Sequence, residues 1–236
     1  MRLGTGLAVI CGLALAGCSS APVVREMRDA PTGIGAHEEI ALLLATYGHQ
    51  TGQGRFLKDQ YVDGAEFERF FDECLRREML ARREGLRFIP ARDLREVAFP
   101  GQSVGTLHVP GEKILGLLAD GRLAQHGALN RLRYVIVLDG THWESGPGPE
   151  GGGSGGAGAI GVGWRRVLSL RATVLDLAQR RVSGSISAYA SGERGAGVGF
   201  VYVIPVPFFF TTMPEAAEVC RGLGRALVRF IAVGPS

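Results

Sequence analysis

The sequence predicts a single α/β domain, with α+β as the alternative: a mixed sheet of about five strands carrying three helices, then a late antiparallel hairpin and a C-terminal helix. Three observations predict it. The aliphatic runs Ile40 to Tyr47 and Arg133 to Asp139 have the length and composition of core strands, the first of a strand covered on both faces and the second of a central strand. Apolar residues at intervals of three and four mark helices between and after these runs. Residues 165 to 188 alternate apolar and polar about a short turn, as a hairpin does.

Taken in order, residues 1–17 have the build of a secretory signal: Arg2, then an uncharged apolar run from Leu7 to Ala16 too short to span a bilayer as a helix. From 18 to 37 apolar periodicity is missing and Pro22, Pro31, Gly33 and Gly35 intervene, so the segment reads as a flexible tether. The domain proper is expected over 38–236. Its first strand is Ile40 to Tyr47, bounded by Gly48.

A helix follows Gly52-Gln53-Gly54, with Asp63 and Glu66 spaced as an acidic capping box. Phe67, Phe70, Phe71, Cys74 and Leu75 form its apolar stripe, and Gly85 ends it. Leu86 to Pro90 reads as a short strand, and Arg92 to Val97 fits a helical turn or a strand. A weaker helix is expected from Gly111 to Ala119, resuming after Asp120-Gly121 as far as His126.

Arg133 to Asp139 is the central strand. Arg165 to Leu177 and Val182 to Ala188 make the hairpin, joined at Ala178-Gln179-Arg180. The last helix begins at Thr212, with Glu215 at capping-box spacing, and buries Val219, Cys220, Leu223, Leu227, Phe230 and Ile231. Two glycine-rich segments, 145–163 and 191–199, are expected as loops that leave one end of the sheet.

The net charge of the 236-residue chain is only +3, with Lys58 and Lys113 its sole lysines. The arginine pairs alternate with acids or sit at turns and helix ends, which describes solvated faces and predicts no nucleic-acid partner.

The tetrapeptide Leu15-Ala16-Gly17-Cys18 resembles the lipobox of bacterial lipoproteins. The resemblance implies cleavage before Cys18 and acylation (palmitate among the chains) of that residue, with the bilayer as a partner. Two or three acyl chains hold a soluble domain at a membrane, where one holds it only reversibly. In that family an aspartate after the cysteine favours inner-membrane retention, so Ser19 implies the outer membrane, facing the periplasm.

The lipobox, the 40–47 run, the long helix after it, the strand RYVIVLD and the late hairpin with its closing helix together resemble a shared periplasmic α/β domain. That domain occurs in curli-secretion lipoproteins, lipoprotein activators of penicillin-binding proteins and the N-terminal part of the Tol translocation protein. The likeness is one of fold, which does not carry function.

Beyond the anchor the cysteines are Cys74 and Cys220, each on the apolar stripe of a helix. In an oxidising compartment they are candidates for a disulfide, the alternative being two buried thiols. His142 and Glu144 share a strand face and Asp139 and Asp176 sit near strand ends, but no HExxH run, G-x-S-x-G elbow or phosphate loop is present. No metal, cofactor or catalytic residue is assigned. Phe200, Tyr202, Phe208, Phe209 and Phe210 lie in a proline-interrupted apolar run from 198 to 210. They are candidates either for core packing or for contact with a membrane or a partner.

The expected function is that of a noncatalytic, membrane-anchored accessory or scaffolding lipoprotein with an envelope protein as partner. An envelope hydrolase and an oligomeric secretion-pore component are the alternatives.

Overall fold

A computed structural model describes residues 21–35, 37–51, 64–101, 115–116, 129–144, 148–154, 157–201, 204–211 and 216–232. Its strands are β1 (Val23–Arg28), β2 (Glu39–Thr51), β3 (Arg87–Ile89), β4 (Leu132–Glu144), β5 (Gly148–Ser154), β6 (Ala157–Asp176), β7 (Arg181–Val201) and β8 (Ile204–Thr211). The helices whose ranges lie among the described residues are α1 (Gly64–Leu80), α2 (Ala91–Ala98) and α3 (Ala216–Ala232). The strands form one mixed sheet in the order β1-β7-β6-β4-β2-β3, with β5 added to β6 and β8 to β7. The α/β class is as the sequence predicts, with eight strands among the described residues in place of about five.

β2 runs parallel to both β3 and β4, a pairing that needs crossover connections, and α1 supplies the one between β2 and β3. The remaining neighbours are antiparallel. Because β2 and β4 are central and covered on both faces, alternate residues enter two separate cores. Leu42, Leu44, Tyr134 and Ile136 pack with Phe71, Leu75, Leu223 and Phe230 of α1 and α3. Ala41, Leu43, Val135 and Val137 pack with Leu94 of α2 and with Phe99. This double burial is why both strands read as unbroken aliphatic runs. Each large side chain buried in this way contributes roughly 1.5–3 kcal/mol.

On β6 and β7 only one alternate set enters the α1/α3 core: Leu168, Leu170, Ala172 and Val174 on β6, and Ile186, Ala188 and Ala190 on β7. The other set carries Ser169, Arg171 and Ser187, hence the alternation in the sequence. The hairpin is therefore where the sequence puts it, but its strands are 20 and 21 residues long and overrun the expected ends.

Two expectations are corrected. The tether does not extend over 18–37: Val23 to Arg28 pairs antiparallel with β7 from Tyr189 to Gly184, and Ala30, Thr32 and Ile34 are buried after it. The glycine-rich segments 145–163 and 191–199 are not loops; within them lie β5 and long parts of β6 and β7. Glycine weakens a strand in isolation, yet here each strand has a neighbour to complete its hydrogen bonds. Gly161 shows what glycine permits, since a Cβ there would lie 2.8 Å from the Ala196 carbonyl oxygen. The 198–210 run is divided between two paired antiparallel strands, β7 and β8.

Arg92 to Val97, open between helix and strand in the sequence, lies in α2. The expected 111–126 helix falls outside the described residues except for 115 and 116, both helical. Residues 1–20, with the signal segment and Cys18, and residues 212–215, with the Thr212 cap, also lie outside them.

Candidate functional site

Cys74 and Cys220 meet where α1 crosses α3. They form a disulfide, with a Cα–Cα distance of 6.4 Å, and both residues are buried. One turn further along α3, Gly224 sits so close to α1 that a Cβ would lie 2.8 Å from Glu78 Cβ. A small residue there lets the two helices approach closely enough for the bond.

The acidic and histidine candidates do not gather. Asp176 pairs with Tyr134 and Asp139 with Arg171, so the two aspartates are five residues apart along β4, about 17 Å in a strand. Asp176 is fully buried and structural: it accepts hydrogen bonds from Arg133 Nη2 at 2.9 Å and from the backbone N–H of Gln179 at 2.9 Å, closing the β6–β7 turn. Asp139 Oδ1 accepts a 2.6 Å bond from the Thr46 hydroxyl. Burial raises the Asp139 pKa above the usual carboxylate value, against the opposing effects of the Thr46 bond and the Arg171 charge. His142, three residues further on, belongs to the alternate set opposite Asp139 and pairs with Leu168 and His49. Among the described residues no group of three His, Cys, Asp or Glu side chains could hold a metal ion.

A shallow hollow at the far end of the sheet is lined by Ile34, Glu38, Arg83 and Leu86. Two of its charged groups are engaged locally, Arg83 with the Ile34 carbonyl at 3.0 Å and Glu38 with the Gly35 N–H at 2.6 Å.

The feature without a structural role in the core is a four-stranded antiparallel blade. Past the last β4 pair, Glu144 with Arg166, β6 and β7 run on together to Ala157 and Val201. β5 flanks β6 from Gly148 to Ser154, and β8 flanks β7 from Thr211 to Ile204. A charged belt crosses its root, where Trp164 pairs with Arg194 and Arg165 with Glu193, the last two forming a half-exposed ion pair at 3.9 Å. Beyond the belt the four strands hold one charged residue, Glu150.

Ile160 is 64% exposed and Val162 42% exposed, although both belong to the alternate set that Leu168 and Leu170 continue into the core. The intervening positions are Ala157, Ala159, Gly161 and Gly163, with Glu150 and Ser154 of β5 in the same rows. Phe208, Phe209 and Phe210 stand opposite Gly197, Ala196 and Gly195, and Phe200 stands opposite Pro205. Four of the five aromatic candidates are thus in the blade, and Tyr202 lies outside the described residues. The exposed pair Ile160 and Val162 is hidden in the sequence by the glycine-rich run around it, Gly158, Gly161 and Gly163, although Ile160, Val162 and Trp164 do alternate there.

The two outer strands carry the prolines: Pro149 in β5, and Pro205 and Pro207 in β8. Among the described residues neither strand has a second neighbour. Proline donates no hydrogen bond and in a paired edge strand sits with its nitrogen toward the open side, which blunts both edges against further pairing. No helix among the described residues is long and apolar enough to cross a membrane.

No protein-family model matches the chain. No curated protein matches it either. Similar solved structures include the PelC dodecamer of Paraburkholderia phytofirmans, 14% identical over 89% of this chain and 98% of that one, with a TM-score of 0.38. Lipoprotein GNA1162 of Neisseria meningitidis is 15% identical over 66% of this chain and 83% of that one, with a TM-score of 0.31. A neuraminyllactose-binding hemagglutinin homolog of Helicobacter pylori is 9% identical over 86% and 83%, with a TM-score of 0.34. These are distant likenesses, and the functional reading rests on the geometry of the chain itself.

Proposed function

We propose that the chain is a noncatalytic accessory lipoprotein, held through acylated Cys18 at the periplasmic face of the outer membrane, that scaffolds another envelope component through its β5–β8 blade. The supporting observation is the exposure of Ile160 and Val162 on a blade that stands outside both cores. Apolar groups so placed add nothing to folding and are held in water at a cost that docking removes.

The test compares the full chain with I160N/V162N in intact cells. The variant is expected to keep its melting temperature and its membrane fractionation but to lose the crosslinked envelope complexes that the parent forms. Complexes unchanged in the variant would reject the reading.

A second reading, a ring of copies forming a secretion pore, is favoured by one observation. β5 and β8 are open edges running antiparallel to one another, so one copy's β5 can meet the next copy's β8 and continue the pattern. The edge prolines stand against it. The variants G151C and P207C separate the two: a head-to-tail ring crosslinks into ladders only when both cysteines are present, and an isolated scaffold does not.

A further inference from the structure

The chain's exit toward Cys18 and the exposed face of the blade lie at the same end and on the same side of the sheet. β1 is antiparallel to β7, with Val23 opposite Tyr189, so the chain traced back from Val23 heads toward the blade. The direction is held by Pro22, which packs on α3 closely enough that a Cβ at Gly222 would lie 3.1 Å from Pro22 Cγ. α3 covers the sheet face formed by Leu168 and Leu170, the alternate set to which Ile160 and Val162 belong.

Chain length then sets a level. The five residues from Val23 back to Cys18 reach at most about 18 Å. The five from Tyr189 to Arg194 rise about 17 Å along β7. An acyl-bearing Cys18 can therefore reach the charged belt at Trp164 and Arg194, and not the tip of the blade. From Arg194 to Val201 the blade continues for seven residues, about 24 Å, with Glu150 as its one charge.

We propose that the Ile160 and Val162 face of this part of the blade, with Glu150 in the alternate set of the opposite face, lies against the acyl boundary of the leaflet that carries the Cys18 lipid, with Trp164 and Arg165 at headgroup level. The proposal rests on the lipidation and the working surface put forward above, and it names the blade's partner as a lipid surface. Tryptophan beside charge is the composition of a membrane interface, and apolar side chains beyond it suit the acyl boundary. The prolines of the outer strands serve the same end. Each removes a backbone donor that would otherwise be left unpaired at an edge near lipid, where such groups cost several kcal/mol.

The chain has two tryptophans, Trp143 and Trp164, which makes depth measurable. Lipidated full-length protein, purified from bacterial membranes, is placed in phosphatidylcholine vesicles brominated at defined acyl positions. In W143F the remaining Trp164 is expected to lose fluorescence chiefly to shallow bromines. In W143F/W164F/I160W the new tryptophan is expected to lose it to deeper ones.

No quenching of either reporter on vesicle-bound protein overturns the proposal, as does quenching that is shallower for I160W than for Trp164. Loss of crosslinked complexes in I160N/V162N without quenching would leave a protein-binding blade and sink only the lipid assignment. Quenching with complexes intact would do the reverse.

Discussion

Glu68 of α1 and Arg95 of α2 form an ion pair that wraps the outer edge of β2, joining helices on opposite faces of the sheet. Between them they hold Leu44: its N–H donates to Glu68 Oε1 at 3.4 Å, and its carbonyl accepts from Arg95 Nη2 at 3.2 Å. β3 pairs β2 only from Glu39 to Ala41, and the pair satisfies the edge beyond that point. Their side chains are 14% and 8% exposed, so this is a nearly buried pair.

Removing one partner therefore strands the other charge, and E68A and R95A should each cost about 3–5 kcal/mol. Arg95 Nε and Nη1 are already buried without a hydrogen-bond partner, so E68L/R95M should cost less than either single change. Urea denaturation of the three variants checks this. A single variant within about 1 kcal/mol of the parent would remove the edge-capping role, because exposed pairs behave that way.

The Cys74–Cys220 bond closes a loop with a sequence separation of 146 residues. Its loss in C74S/C220S is expected to lower stability by about 2–5 kcal/mol, mainly by freeing the unfolded chain. Both cysteines are buried, so reductant alone should leave the folded protein oxidised, whereas reductant with urea should release two alkylatable thiols. Intact mass after alkylation reads both results.

Gly184 lies opposite Arg28 with φ +143°, and a Cβ there would stand 2.2 Å from the Met27 carbonyl oxygen and 2.9 Å from Phe230 Cζ. G184A cannot be accommodated without moving β1 off β7 or α3 off the sheet. The backbone strain alone is about 1–3 kcal/mol. Hydrogen exchange should show β1 losing protection first, and unchanged protection in β1 would count against this account.

Asp139 tests the electrostatics of the sheet. Burial raises its pKa in the folded state, so the folded protein holds the proton more tightly than the unfolded chain does. Its ionisation therefore opposes folding, and stability contributed by the protonated form is lost as pH rises from the unfolded value through the raised folded one. D139N keeps an acceptor for Thr46 and should be at least as stable as the parent at pH 7, with the gain shrinking toward pH 4. Melting curves across that interval check the slope, and a gain that grows as pH falls would reverse the assignment.

Much of the body was legible in the sequence because local pattern and burial agree there. Ile40 to Tyr47 reads as a doubly covered strand and Arg133 to Asp139 as a central one, and both are found; Phe71, Cys74 and Leu75 of the first stripe face the same core as Cys220, whereas Phe70 of that stripe is 41% exposed. The blade was not legible in the same way. Glycine at Gly151, Gly161, Gly163, Gly195 and Gly197 signals a loop to any local reading, and those residues become strands only through neighbours elsewhere in the chain. Val23 to Arg28 was hidden for a related reason: an edge strand exposed on most of its surface needs no apolar pattern, and only its pairing with β7 defines it.

By itself the sequence determined the α/β class, the two central strands, the hairpin, the stripes of α1 and α3 and the lipobox resemblance at Cys18. These follow from side-chain periodicity and composition, which act over a few residues. Tertiary structure alone decided that Cys74 meets Cys220, that Asp139 and Asp176 stand apart, and that the glycine-rich segments join into one blade with Ile160 and Val162 uncovered. Each of those depends on strand register and helix crossing, which are set by contacts between residues far apart in the chain and leave no local pattern to read.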